Sequence, residues 1–233
     1  MEAPSAIRVS GVADRMRPLW DFDDLDGSER RFTEELEKEA TGDGRAEVLT
    51  QLARVKGLRG DFAGGEALIA KAEAVAEGGA AARARILMER GRLLRSNGNV
   101  EGAAPLFEAA FKVATEGGEP ALAADAAHMG ALAAPDRAGK LAWTDRGIEL
   151  ASASSDPQVY YWLGPLYNNL GWEYHEAGEY EPALDAFRKA LAARERFPDM
   201  PALIEHAREG VAEALTSLGR EDEARRFRPA PGT

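Results

Sequence analysis

Small and apolar residues recur at intervals of three and four along "LYNNLGWEYHEAGEYEPALDAFRKAL", residues 166–191. Tyr167, Leu170, Gly171 and Tyr174 form one stripe, and the spacing predicts a helix that Gly178 ends. A second stripe starts at once with Tyr180, Ala183, Leu184, Phe187, Ala190 and Leu191. Because so few residues separate the two, the helices must lie antiparallel as a hairpin. Gly171 and Ala183 let the two backbones approach, while Tyr167, Tyr174 and Phe187 fill the space around that contact.

The pattern repeats along the chain. Leu49, Leu52 and Ala53 precede a turn at Gly60, followed by Gly65, Ile69 and Ala72. Leu87, Gly91 and Leu94 precede Gly98, followed by Ala103, Phe107 and Ala110. A more degenerate copy sets Ala127 and Trp143 on either side of a turn at Ala134 and Pro135. The last copy runs through Val211, Ala212, Leu215, Gly219 and Ala224. The equivalent small residues Ala53, Gly91, Ala127, Gly171 and Ala212 are 38, 36, 44 and 41 residues apart.

At Tyr167, Leu170, Gly171, Tyr174, Ala183 and Phe187 the chain resembles the tetratricopeptide repeat (TPR) family, whose pattern is W-x2-L-G-x2-Y followed by A-x3-F. Only the first aromatic departs, Tyr standing for Trp. The spacing exceeds the family's usual length of about 34 residues and is similar to its class of about 40. The resemblance implies an all-α fold, a right-handed α-solenoid of five helical hairpins with an N-terminal capping helix, because one hairpin cannot bury its apolar face alone. The expected organisation is a flexible or extended segment over 1–25, the solenoid over 26–228 and a tail over 229–233.

Both ends depart from the pattern. Asp26 followed by Glu29 reads as a capping box that opens the capping helix. Ahead of it, Trp20, Phe22 and Leu25 alternate with Asp21, Asp23 and Asp24, either as packing residues at the domain edge or as a mimic of a ligand. Asp156 and Pro157 read as a helix start, and Pro165 then predicts a kink or break. At the other end the apolar stripe of Ile204, Val211 and Leu215 is followed by a very short final helix, which predicts an exposed interface there.

Composition narrows the function. The chain has 40 acidic against 29 basic residues and a net charge of -11, which repels phosphate backbones and anionic membrane surfaces, so neither nucleic acid nor membrane is the expected partner. There is no Cys, hence no disulfide or thiolate metal site. The first residues contain no signal-type apolar run, and a cytoplasmic location is expected. Abundant Arg, Ala and Gly fit a bacterial genome of high GC content. No phosphate-binding loop, nucleophile elbow or H-E-x-x-H motif occurs, and no enzyme activity or cofactor is expected.

In solenoids of this family the first helix of each hairpin lines a concave groove, and the resemblance therefore places a set of residues there. Arg54 comes from the first repeat, Arg85, Met88, Arg92 and Arg95 from the second, and His128 from the third. The fourth supplies Asn168, Asn169, Trp172, His175 and Glu176. Four Arg in an acidic protein suit a partner segment of acidic character, and the two Asn amides suit a peptide backbone. The alternative for these Arg is a solvated helix face paired with nearby Glu. The three His stand singly on three helices, so no metal site is expected. The expected function is a non-catalytic adaptor or scaffold that holds a peptide or protein partner. The alternatives are a self-assembling subunit, forming a homodimer through Ile204, Val211 and Leu215, and a sensor of a peptide or small molecule acting through a second protein.

Overall fold

The structure is a computed structural model and describes residues 15–228. These are helical, without strands, and fall into two compact units, 15–134 and 135–228. The expected tail at 229–233 and the first part of the expected N-terminal segment, 1–14, lie outside the described residues.

The first unit opens with a 3-10 turn, Arg17–Leu19, followed by α1 (Leu25–Lys38), α2 (Gly42–Leu58), α3 (Phe62–Val75), α4 (Ala80–Ser96), α5 (Val100–Glu116) and α6 (Pro120–Ala133). The pairs α2/α3 and α4/α5 are the hairpins predicted from the stripes, and α2, α4 and α6 also pack on one another in turn. The turns inside the α2/α3 and α4/α5 hairpins are built alike. Gly98 has φ +86°, a left-handed conformation that closes α4, and the next amide, of Asn99, reaches back to the Leu94 carbonyl at 2.9 Å. Asn99 then caps α5 by accepting from the Gly102 amide at 2.9 Å.

Residues 15–24 are not a loose leader. Met16 is buried and packs with Phe32, Val48, Leu52 and Val55, with Leu19 and Trp20 against the same cluster. The cap of α1 differs from the expectation. Helix α1 starts at Leu25, so Asp24 is the N-cap and accepts from the Gly27 amide, whereas Asp26 already lies in the first turn. Asp26 and Glu29 are both taken by Arg59, the C-cap of α2.

The second unit comprises α7 (Arg137–Ser152), α8 (Pro157–Tyr160), α9 (Leu163–Glu176), α10 (Tyr180–Arg194), α11 (Pro201–Ser217) and α12 (Glu221–Ala224). Asp156 caps α8 as expected. The break, however, falls at Tyr161 and Trp162, ahead of Pro165. Pro165 thereby sits in the first turn of α9, where its missing N–H has no helical partner to lose. Helices α9 and α10 form the hairpin of residues 166–191, and α11 packs on α10.

The apolar stripe of α11 faces α10. Val211 and Leu215 are fully buried with Leu184, Phe187 and Leu191, and Ile204, Leu218 and Phe227 pack around the same cluster. This corrects the expectation of an exposed interface at Ile204, Val211 and Leu215: the stripe is covered by the helix before it, and α12 with Phe227 closes the remainder.

Candidate protein-interaction site

Helices α2, α4 and α6 turn a common side toward one another, and charged residues line it. Arg85 of α4 donates through Nε to Glu47 of α2 at 3.1 Å. Arg92 of α4 bonds both Glu89, one turn earlier, and Asp125 of α6, the latter at 2.5 Å. Arg54 of α2 lies 3.9 Å from Glu89. Three guanidinium groups therefore interleave with three carboxylates across three helices. Glu89 is 1% exposed, and such a buried carboxylate is tolerable only because cations stand beside it. Burial opposes the charge of Arg92, but Asp125 and Glu89 outweigh it and raise its pKa. For Arg54, burial and then the like charge of Arg92 prevail, and its pKa is lowered.

The sequence placed Arg54, Arg85, Met88, Arg92, Arg95 and His128 here together. In the structure Arg85 is buried and Arg92 has both neighbouring carboxylates, so these two tie helices together. Met88 is 1% exposed and part of the interior. Arg95 reaches the Leu132 carbonyl at 3.4 Å, and His128 is half-buried on α6. Arg54 is the least committed: its guanidinium donates no hydrogen bond to a described residue.

Sequence reasoning missed what covers Arg54. The rings of Trp20 and Phe22 stack in parallel, with centroids 4.8 Å apart, and the Arg54 guanidinium lies 5.4 Å from each. The Trp20 indole donates to Gln51 of α2 at 2.9 Å. Cation–π contacts of this kind are worth about 0.5–2 kcal/mol each. The alternation of aromatic and acidic residues at 20–24 was visible, but which helix it would lie on was not.

In the second unit, Asn168, Asn169, Trp172, His175 and Glu176 all belong to α9. Trp172 meets Phe187 edge-on at 5.2 Å and His175 at 5.5 Å, so it is a packing residue of the α9/α10 hairpin. His175 Nε2 lies 2.9 Å from Ser217 Oγ on α11. Asn168 and Asn169 are half-buried, and Asn168 Oδ1 is buried with no hydrogen-bond partner among the described residues. Glu176 is exposed. Among the described residues no three His, Asp or Glu come together as a metal-binding group.

The hairpin itself holds the diagnostic contact. A Cβ placed on Gly171 would stand 2.5 Å from the Phe187 ring, and one on Gly210 of α11 would stand 2.7 Å from the same ring. The ring is thus held between two glycines, Gly171 of α9 and Gly210 of α11. Gly91 and Phe107 repeat the relationship in the first unit at 2.6 Å. Residues 165–197, which span α9 and α10, match the sequence profile of the tetratricopeptide repeat. This segment is a tetratricopeptide repeat.

Solved structures carry the likeness to the rest of the chain. The crystal structure of BtubC (BKLC) from P. vanneervenii is similar with a TM-score of 0.68 and 18% identity, over 90% of this chain and 95% of that one. The Rap protein complexed with Competence and Sporulation Factor gives 0.63 and 14%, over 91% and 71%. A signal transduction ATPase with a tetratricopeptide repeat sensor, PH0952 from Pyrococcus horikoshii, gives 0.66 and 13%, over 87% of this chain and 32% of that longer one. No curated protein matches the sequence. At these identities the likeness is one of fold: the chain has the all-α, helical-hairpin fold of TPR-like solenoids. No helix among the described residues is long and apolar enough to cross a membrane.

Proposed function

We propose that the chain is a non-catalytic protein-interaction module that holds an extended segment of a partner protein against the α2, α4 and α6 side of its first unit. The observation that carries this reading is Arg54, a half-buried guanidinium without a hydrogen-bond acceptor, set in a row of polar side chains with Gln51, Arg95 and His128. Its donors are free to bond a carboxylate of a partner, a charge-assisted contact stronger than a bond between neutral groups. The fold supports the reading, since a similar structure, that of Rap, is of a complex with Competence and Sporulation Factor.

The Arg residues of this side do not act as one patch. Arg85 and Arg92 have their own carboxylates, which leaves Arg54 and Arg95 for acidic groups of a partner. The test is quantitative capture from cells of the native host with the full chain, beside the Arg54→Glu, Arg95→Glu double variant. A specific partner is expected with the wild type and lost with the double variant at unchanged helicity. Equal capture by both would remove this side of the molecule from the account.

A further inference from the structure

Arg54 and Glu89 are neighbours, and each lacks what the other offers. Glu89 Oε1 accepts from Arg92, while its Oε2 is buried with no hydrogen-bond partner among the described residues. Arg54 Nη1 stands 3.9 Å from Oε1, which is beyond hydrogen-bond reach. The guanidinium lies instead 5.4 Å from each ring of the stacked pair Trp20 and Phe22, on the strap of residues 15–24. Stacked there, Arg54 leaves a buried carboxylate oxygen without a donor. Moved to Oε2, it would leave the two rings without their cation. Neither position satisfies both groups, which is the condition for a side chain with two states.

We propose that Arg54 is a latch with two positions: on Trp20 and Phe22 it closes the aromatic end of the strap, residues 20–24, over α2, and on Glu89 Oε2 it lets that end open. The inner end of the strap stays in place in both, because Met16 is 1% exposed in the core beside Phe32. Phe22 is 55% exposed, so the burial that keeps the outer end closed is that of Trp20, which meets Phe32 edge-on at 5.0 Å. Opening would break the bond of the Trp20 indole to Gln51 and the pair between Asp21 and Ser28, in which the Asp21 amide donates to the Ser28 hydroxyl and that hydroxyl donates to the Asp21 carbonyl, both at 2.8 Å, while Asp24 keeps its cap on α1. Opening frees Gln51 from the Trp20 indole and uncovers the α2 face beside it, so the latch would gate access to the side of the molecule assigned above. Only this consequence rests on the proposed function.

The experiment needs no partner. Hydrogen exchange of the Trp20 indole and the Asp21 amide is followed by NMR in the full-length chain. In Arg54→Met the closing contact is gone, and exchange at both sites should rise about threefold or more. In Glu89→Gln the charge that draws Arg54 away is gone, and exchange should fall by a similar factor. In the double variant Glu89→Gln should add nothing to Arg54→Met. Unchanged exchange in Arg54→Met overturns the latch by itself, even if Glu89→Gln does not fold. An equal effect of Glu89→Gln with and without Arg54 also overturns it. Either failure leaves the partner-binding reading standing, because capture of a partner is measured separately.

Discussion

The carboxylate of Asp43, at the start of α2, accepts the backbone N–H of Gly79 at 3.0 Å, across the loop that leads into α4. The amides of Glu77 and Gly78 point at the same carboxylate, at 2.8 and 3.2 Å. One side chain therefore fixes the connection between two successive hairpins. Asp43→Ala should lower stability by about 1–3 kcal/mol, since charge-assisted bonds to three amides are lost together. Urea denaturation of the full chain measures it, and an unchanged midpoint would show that the loop holds its form unaided.

The Phe187 ring has no room on either side. Gly171→Ala and Gly210→Ala should each cost about 1–3 kcal/mol by overpacking, although alanine is the better helix former at both positions. Phe187→Leu in combination with either alanine should recover part of the loss, because the smaller side chain makes room for a Cβ. A thermal-unfolding double-mutant cycle tests this coupling, and strictly additive effects would contradict the packing described.

Arg92 and Arg95 look alike in sequence and should behave differently. Arg92→Leu strands Glu89 and Asp125 among buried groups and should cost about 3–5 kcal/mol. Arg95→Ala loses one long bond to a backbone carbonyl and should change stability by no more than about 0.5 kcal/mol. Equal losses in urea titrations would mean that the charged row does not hold the helices together.

Arg90 donates through Nη1 and Nη2 to Glu73 and through Nε to Glu66. The bond from Arg90 holds the Glu73 pKa below its ordinary value of 4.5. A carboxylate depressed in the folded state adds stability above that value, and the contribution fades as pH falls through the lower folded pKa. Glu73 is half exposed, so the contribution should stay below about 1 kcal/mol. Wild type should exceed Arg90→Met in stability at pH 7, and the difference should shrink between pH 4.5 and the acid limit of folding. A difference that grows on acidification would reverse the assigned sign.

The hairpins were legible because their signals are local. A stripe with period near 3.6 shows the helix, and a glycine such as Gly98 or Gly178 marks the left-handed turn that ends it. A second local signal went unread: Asp24 and Gly27, Asp61 and Gly64, Asn99 and Gly102, and Asp136 and Gly139 each combine a capping side chain with a glycine three residues later. At Gly64 a Cβ would lie 2.2 Å from the Asp61 carboxylate, which explains the spacing. Read in that way, Asp24 rather than Asp26 would have been the cap of α1. What the sequence hid was which faces meet. The stripe containing Val211 and Leu215 is equally apolar whether it faces α10 or solvent, and the carboxylates that pair with Arg85 and Arg92 come from 38 residues before the one and 33 after the other.

The row of Arg54, Arg85 and Arg92 with Glu47, Glu89 and Asp125 cancels its own charge, so the whole excess of -11 is carried elsewhere on the chain. To an acidic polypeptide diffusing toward the protein, most of the surface is repulsive at long range, and this row is comparatively silent. Salt would weaken the repulsion over a Debye length of about 10 Å at 0.1 M, while the buried pairs are screened far less. Encounters with an acidic partner should therefore quicken as ionic strength rises, the reverse of what four arginines on an open helix face would produce.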